Sequence, residues 1–247
     1  MFESKSGVFL IAGLGFFALA FVSNGLVPIL MYSHLEEKKA SQLVTKPLLV
    51  SLRNLQEIYP ESFGKYYLND DEHSRELFRI KFEPRADEKL SDEEAEELAR
   101  LQENLAAQAI KDGRRTYIAE GCWHCHSQFV RPVSNEQRRW GDVSEDWEYQ
   151  NELQRPVMFG TRRVGPDLIR ESGRHSVDWH AAHFFRPRDT SANSVMPEYT
   201  WFFDGDPGKP NRRGLSLILY MEWLGSWRES YPHYKGTTRA DADKEAP

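Results

Sequence analysis

Cys122-Trp123-His124-Cys125-His126 constrains this chain more than any other stretch, because it uses both of the chain's cysteines and ends on a histidine. C-x-x-C-H is the attachment signature of a c-type haem. Two thiols one helical turn apart can form thioethers with the two vinyl groups of one haem, and the adjacent histidine is then held beneath the iron. In a chain with no cysteine left for a disulfide framework, such a group would act both as crosslink and as apolar core. Two other uses of the pair fit less well. A thiol–disulfide redox pair lies at a helix start within a βαβ pattern, and no strand–helix alternation surrounds Cys122. A zinc site needs four ligands. Cys122, Cys125 and one or two of His124, His126, His175, His180 and His183 could supply them, but the second cysteine pair usual in structural zinc is missing.

The N-terminus sets the second constraint. The mean hydropathy of the 247 residues is low, at −0.65, yet Gly7 to Tyr32 carries no charge and is almost wholly apolar. A run of this length spans a bilayer with some tilt. Ser23, Asn24, Gly25 and Pro28 interrupt it, as small and polar residues do where another helix covers them. A cleaved signal peptide would have a shorter apolar region and a small-x-small site, whereas this run leads into Met31-Tyr32-Ser33-His34-Leu35. An uncleaved anchor is expected. Lys5 on one side and Lys38 and Lys39 on the other leave the positive-inside rule nearly silent. Haem c is attached outside the cytoplasmic membrane, so the bulk of the chain is expected in the periplasm. The net charge of −6 gives no basic surface for nucleic acid.

Helices are expected beyond the anchor. Pro47 followed by Leu48, Leu49, Leu52 and Leu55 reads as a short amphipathic helix closed by Tyr59-Pro60. Asn69 to Glu83, with mixed charges, reads as loop or surface helix. Ser91 and Glu94 form a capping box, and Leu98, Leu101 and Leu105 mark one buried face. The acidic run Asp92 to Glu97 reads as a solvated helix face rather than a docking surface. Gly113 is expected to break this helix before a second one, Arg114 to Ala119, that leads into Cys122. From Phe129 to Phe203 the chain is rich in Arg, Gly, Pro and Trp, a composition of loops that wrap a cofactor. A last apolar helix is expected from Gly214 to Trp227, and the tail from Lys235 reads as disordered.

A low-spin electron-transfer haem needs a sixth ligand, usually Met or His. Met196, in a loop stiffened by Pro197, is the preferred thioether. Met158 follows it, Met221 reads as core, and His175, His180 and His183 leave bis-histidine ligation open. Gly165-Pro166-Asp167-Leu168 supplies the other side: a proline carbonyl can accept the free ring N–H of His126 and fix its orientation.

Taken in order, these motifs resemble the haem segment of the monohaem subunit II of cbb3-type cytochrome c oxidases. The matching residues are Gly113-Arg114, Tyr117, Gly121-Cys122, Cys125-His126-Ser127-Gln128, Arg131-Pro132, Gly160-Thr161, Arg163, Gly165-Pro166-Asp167-Leu168, Asp178-Trp179-His180, His183, Pro187-Arg188 and Ser194, then Met196-Pro197, Tyr199 and Trp201, with Tyr220 and Leu224-Gly225 matching the closing helix. The resemblance implies a class I cytochrome c-like haem domain held by one transmembrane helix beside a haem–copper catalytic subunit. It implies one covalent haem c on Cys122 and Cys125, iron ligation by His126 and Met196, orientation of His126 by Pro166, and Arg163 and Trp179 near the propionates. Electrons would come from a further cytochrome c subunit or a soluble cytochrome c and pass to the membrane haems, where oxygen is reduced.

The expected fold is therefore mainly α, with a membrane anchor at 1–32, a polar, partly helical acidic extension at 33–108, a haem domain at 109–228 and a polar tail at 229–247. The extension is longer than the family's usual connection, and Asp204 to Arg213 is shorter. No histidine lies between Gly7 and Tyr32, so on the oxidase reading oxygen reduction would fall to a partner and the chain would be an electron-transfer component of the enzyme. The alternatives are a free-standing membrane-tethered shuttle, the cytochrome subunit of a periplasmic dehydrogenase, or a gas sensor, against which Met196 argues.

Overall fold

A computed structural model of the chain describes residues 3–33, 36–69, 71–82 and 88–228; the tail expected at 229–247 lies outside the described residues. Residues up to Glu37 form one unit and those from Lys38 onward another.

The first unit is a single apolar rod: helix α1 (Glu3–Phe21), a π-helical turn (Val22–Leu26) and helix α2 (Val27–Tyr32). The stretch Lys5–Tyr32 is long and apolar enough to cross a membrane. The interruption noted in the sequence takes the form of the π turn. Pro28 has no N–H to give to the carbonyl four residues back, and the ladder widens so that Val27 N–H reaches Val22 O instead. Ser23 Oγ donates to Leu19 O at 2.8 Å and Asn24 Nδ2 to Ala20 O at 3.1 Å, so both polar side chains are satisfied within the helix.

The second unit is helical as well. Its helices are α3 (Lys46–Ile58), α4 (Pro60–Tyr67), α5 (Glu72–Phe82), α6 (Asp92–Ala119), α7 (Cys122–Cys125), α8 (Glu136–Trp140), α9 (Val177–Phe185), α10 (Pro187–Thr190) and α11 (Arg212–Trp223). Among the described residues there is no strand, only the isolated bridges Lys38 with Asn151 and Phe203 with Pro210. Local signals set the starts. Thr45 caps α3, with Pro47 in its first turn, and Ser91 and Glu94 form the expected reciprocal box at α6. The ambiguous segment before Glu83 is a helix, α5, because Leu77 and Phe78 are buried there and Phe78 meets Phe63 edge-on at 5.4 Å.

Gly113 does not break α6, which runs unbroken from Asp92 to Ala119 and absorbs the expected second helix. The glycine is the crossing point of the two central helices. A Cβ there would sit 2.1 Å from Ser216 O and 2.5 Å from Tyr220 Cβ, both on α11. The last helix starts at Arg212, capped by Asn211 Oδ1 on the Arg213 and Gly214 N–H groups, and stops at Trp223 rather than Trp227.

The segment between anchor and haem motif packs into the same core. Leu48, Leu52, Leu55 and Phe63 are buried together with the α11 residues Leu215 to Leu219. Polar ties accompany them: Ser51 Oγ donates to Glu222 Oε2 at 2.9 Å, Thr45 Oγ1 to Ser226 Oγ at 2.8 Å, and Trp223 Nε1 to Leu43 O at 3.0 Å. The residues expected as extension and as haem domain thus share one hydrophobic core.

Candidate haem site

α6 ends at Ala119, and two residues on comes Gly121, whose φ of 71° lies in the left-handed region that glycine adopts without strain. The chain then restarts as the single turn α7, which places Cys122 and Cys125 on one wall of a cavity of about 710 Å³. Its size falls within the range of about 300–1,000 Å³ usual for cofactor sites. Cys125 is exposed and Cys122 half-buried. Burial, reinforced by the Glu120 carboxylate, pushes the Cys122 thiol up to about 12.

His126 follows in extended conformation, with its N–H on Cys122 O and its carbonyl accepting from Tyr117 Oη at 3.2 Å. Its ring Nδ1 lies 2.9 Å from Pro166 O. A carbonyl only accepts, so Nδ1 carries the proton and Nε2 keeps its lone pair. Burial pushes the imidazole below its ordinary value, which favours this neutral form. Gly165 is the floor under the ring: a Cβ there would lie 2.3 Å from His126 Cε1.

The loop that carries Pro166 is stitched to the haem motif along its length. Thr161 and Arg162 N–H groups meet His124 O, Gly165 N–H meets Cys125 O, and Leu168 N–H meets Ser127 O. Asp167 is buried and accepts from Ser127 Oγ at 2.5 Å and from the Phe129 and Ile169 N–H groups at 2.9 Å. Burial pushes its carboxyl up while these bonds pull it back down. Arg163 completes the brace. Its guanidinium donates to Ser127 Oγ at 2.6 Å, pairs with Glu136, and reaches Asp167 at 3.4 Å. Arg163 is therefore engaged behind the loop and is not among the residues that line the cavity.

Met196 lines the cavity from the loop after α10, half-buried, with its N–H on Ser194 Oγ. Met221 of α11 also lines it, whereas Met158 is buried elsewhere and uses its carbonyl to accept Gln128 N–H. α9 forms a further wall. Trp179 is stacked between His175, at 3.6 Å, and His183, at 4.6 Å. His180 is buried 3.4 Å from the Glu222 carboxylate, and His175 bonds Glu171 at 2.6 Å.

Of the residues singled out in the sequence, the cavity thus brings together Cys122, Cys125, His126, Pro166, Trp179 and Met196, and leaves Arg163 outside. Sequence reasoning missed Gly165 and Asp167 as individual contributors, although both stood in the Gly-Pro-Asp-Leu motif. The donor set fits a c-type haem: two thiols one turn apart, an imidazole presenting a lone pair, and a thioether on the same cavity. A zinc site is poorly served, since among the described residues no three His, Cys, Asp or Glu side chains are grouped to hold a metal.

No curated protein matches the chain. Residues 104–212 match the family described as cytochrome C oxidase, mono-heme subunit/FixO. That stretch holds the attachment motif, the Gly-Pro-Asp-Leu loop and Met196, and over it the chain is similar to the FixO family of mono-heme cytochrome c oxidase subunits.

Proposed function

We propose that the chain is a membrane-anchored monohaem cytochrome c that relays electrons to the haem–copper catalytic subunit of a cbb3-type oxidase. The observation that carries the reading is the convergence on one cavity of both cysteines, Met196 and a His126 ring whose Nδ1 is held by Pro166. Cys122 and Cys125 would bind the haem by adding their S–H groups across its vinyls, a step that needs no oxidant. His126 Nε2 and Met196 Sδ would ligate the iron. When bound, the haem supplies a one-electron couple, and a thioether ligand sets that couple higher than a second histidine would.

The remaining residues act on orientation and solvation. Pro166 holds the His126 plane, and Asp167 and Arg163 hold Pro166. Leu168, Phe184, Leu217 and Met221 line the cavity with apolar surface, which would keep water from a bound haem. Trp179 lines the cavity from α9. The apolar rod would cross a bacterial inner membrane once, N-terminus inside, with the haem domain in the periplasm. The donor would be a further cytochrome c subunit or a soluble cytochrome c.

Detergent extraction of the full chain from its own membranes, followed by haem spectroscopy and identification of co-purifying chains, tests this. Pigment that survives acid–acetone and a stoichiometric haem–copper subunit are expected. A lone cytochrome would instead indicate a tethered shuttle, and extractable pigment would end the c-type reading.

A further inference from the structure

α9 carries two histidines, and His180 lies 3.4 Å from the buried Glu222 carboxylate. His183 has a different partner: its Nδ1 lies 2.6 Å from Thr190 Oγ1, the last residue of α10. That hydroxyl is also 3.1 Å from Pro187 O. One hydroxyl has one proton, and the proline carbonyl can only accept. With the threonine proton directed to Pro187 O, which also accepts Ser191 N–H, Thr190 Oγ1 accepts from His183 Nδ1–H. Nε2 then bears the lone pair. Burial pushes this imidazole down to about 4, with the charges of His180, His126 and His175 adding to the effect, so the ring is neutral near pH 7. Trp179, nearly parallel at 10°, fixes its plane.

Thr190 lies at the base of the loop that carries Met196. Ser191 N–H closes on Pro187 O, Ser194 N–H on Ser191 O, and Met196 N–H on Ser194 Oγ, so each turn is built on the one before. The loop returns to α9 where Tyr199 N–H meets Phe184 O at 2.9 Å. Both ends of the loop are thereby fastened to adjacent residues, His183 and Phe184. The other ties, Arg188 to Ser194 O and Arg186 to Glu198, lie among exposed side chains and hold weakly in water.

We propose that His183 is the positioning residue for the sixth iron ligand: through its Nδ1–H bond to Thr190 it fixes the loop that keeps Met196 on the cavity wall, where its thioether would bind iron. The inference rests on the reading of Met196 as that ligand. Outer partners of metal ligands typically change ligation about 10–100-fold when removed. His183 would act here on the backbone that carries the ligand.

The test uses the full-length haem protein with His183→Ala, His183→Asn and Thr190→Val. The readouts are the red-region sulfur–iron band of the ferric form and carbon monoxide binding to the ferrous form. His183→Ala and Thr190→Val are expected to lose most of the band and to bind carbon monoxide at least about 10-fold more tightly than the unaltered chain. His183→Asn, which keeps an N–H near the Nδ1 position, is expected to retain the band. If His183→Ala does not fold, the near-isosteric Thr190→Val decides. A full band and no carbon monoxide binding in folded Thr190→Val overturns the inference while leaving Met196 as ligand. Absence of the band from the unaltered chain overturns the Met196 reading itself, and this inference with it.

Discussion

Gly113→Ala puts helix propensity and packing in direct opposition, and the structure decides between them. Within an exposed helix the change would stabilise by about 1 kcal/mol. In α6 the new methyl would stand 2.1 Å from Ser216 O and 2.5 Å from Tyr220 Cβ. Contacts of this kind need roughly 3.5 Å, so the two central helices must separate by more than about 1 Å or bend. α11 cannot yield locally, because Leu215, Leu217, Ile218 and Leu219 are all fully buried beside the crossing. Overpacking of a tight core costs about 1–3 kcal/mol, and backbone obstruction places this case at the upper end. Separation also strains the Tyr220 hydroxyl, which donates to Gln128 Oε1 at 2.9 Å and accepts from Arg114 at 3.3 Å. Each such bond is worth about 1 kcal/mol net. After the propensity gain is deducted, the variant should be less stable by about 2–3 kcal/mol, a fall in Tm of roughly 5–10 °C for a chain of this size. Thermal unfolding of the detergent-solubilised protein, followed by far-UV circular dichroism, measures it. A Tm equal to or above that of the parent would refute the close-crossing argument and restore the sequence reading of Gly113 as a weak point in a helix.

Gly165→Ala should leave the fold intact but drive a methyl into the His126 ring, which lies 2.3 Å away at Cε1. We expect shifted ferric electron-paramagnetic-resonance g-values and a changed reduction potential; spectra identical to the parent's would show that the ring is not held against Gly165. The pH dependence of stability should carry the signature of His183. Its imidazole is ordinarily near 6.5 and is pushed by burial, then by His180, His126 and His175, to about 4, with Glu171 opposing. Between those values the unfolded chain binds a proton that the folded chain refuses, so stability falls as pH drops from about 6.5 towards 4 and is unaffected above it. His183→Asn should show a shallower acid slope in Tm against pH, and an unchanged slope would remove His183 as the cause.

Local chemistry was legible in the sequence and distant contact was not. The Ser91–Glu94 box and Pro47 in the first turn of α3 each depend on neighbours within a few residues, so pattern sufficed. The bond from His126 to Pro166 spans 40 residues, yet a proline after glycine, following an attachment motif, still pointed to it. Gly113 misled because a glycine that ends a helix and one that admits a crossing helix look alike in sequence; the partner lies about a hundred residues further on, on α11. Arg163 stood beside the right loop, but nothing local says that its guanidinium faces Ser127, Glu136 and Asp167. The partner of His183 was hidden for the same reason: Thr190 has no distinguishing neighbours, and only the fold brings its hydroxyl to the ring.

Kinship and cohesion do not share a boundary in this chain. The family match begins at residue 104, partway along α6, and omits everything before it. A chain trimmed to that stretch would uncover the surface on which Leu48, Leu52, Leu55 and Phe63 now lie. Burying such side chains contributes about 1.5–3 kcal/mol each, so the four together approach the entire margin of about 5–15 kcal/mol by which a domain stays folded. The segment before residue 104 is not baggage slung from the haem motif. It has become a wall of the building.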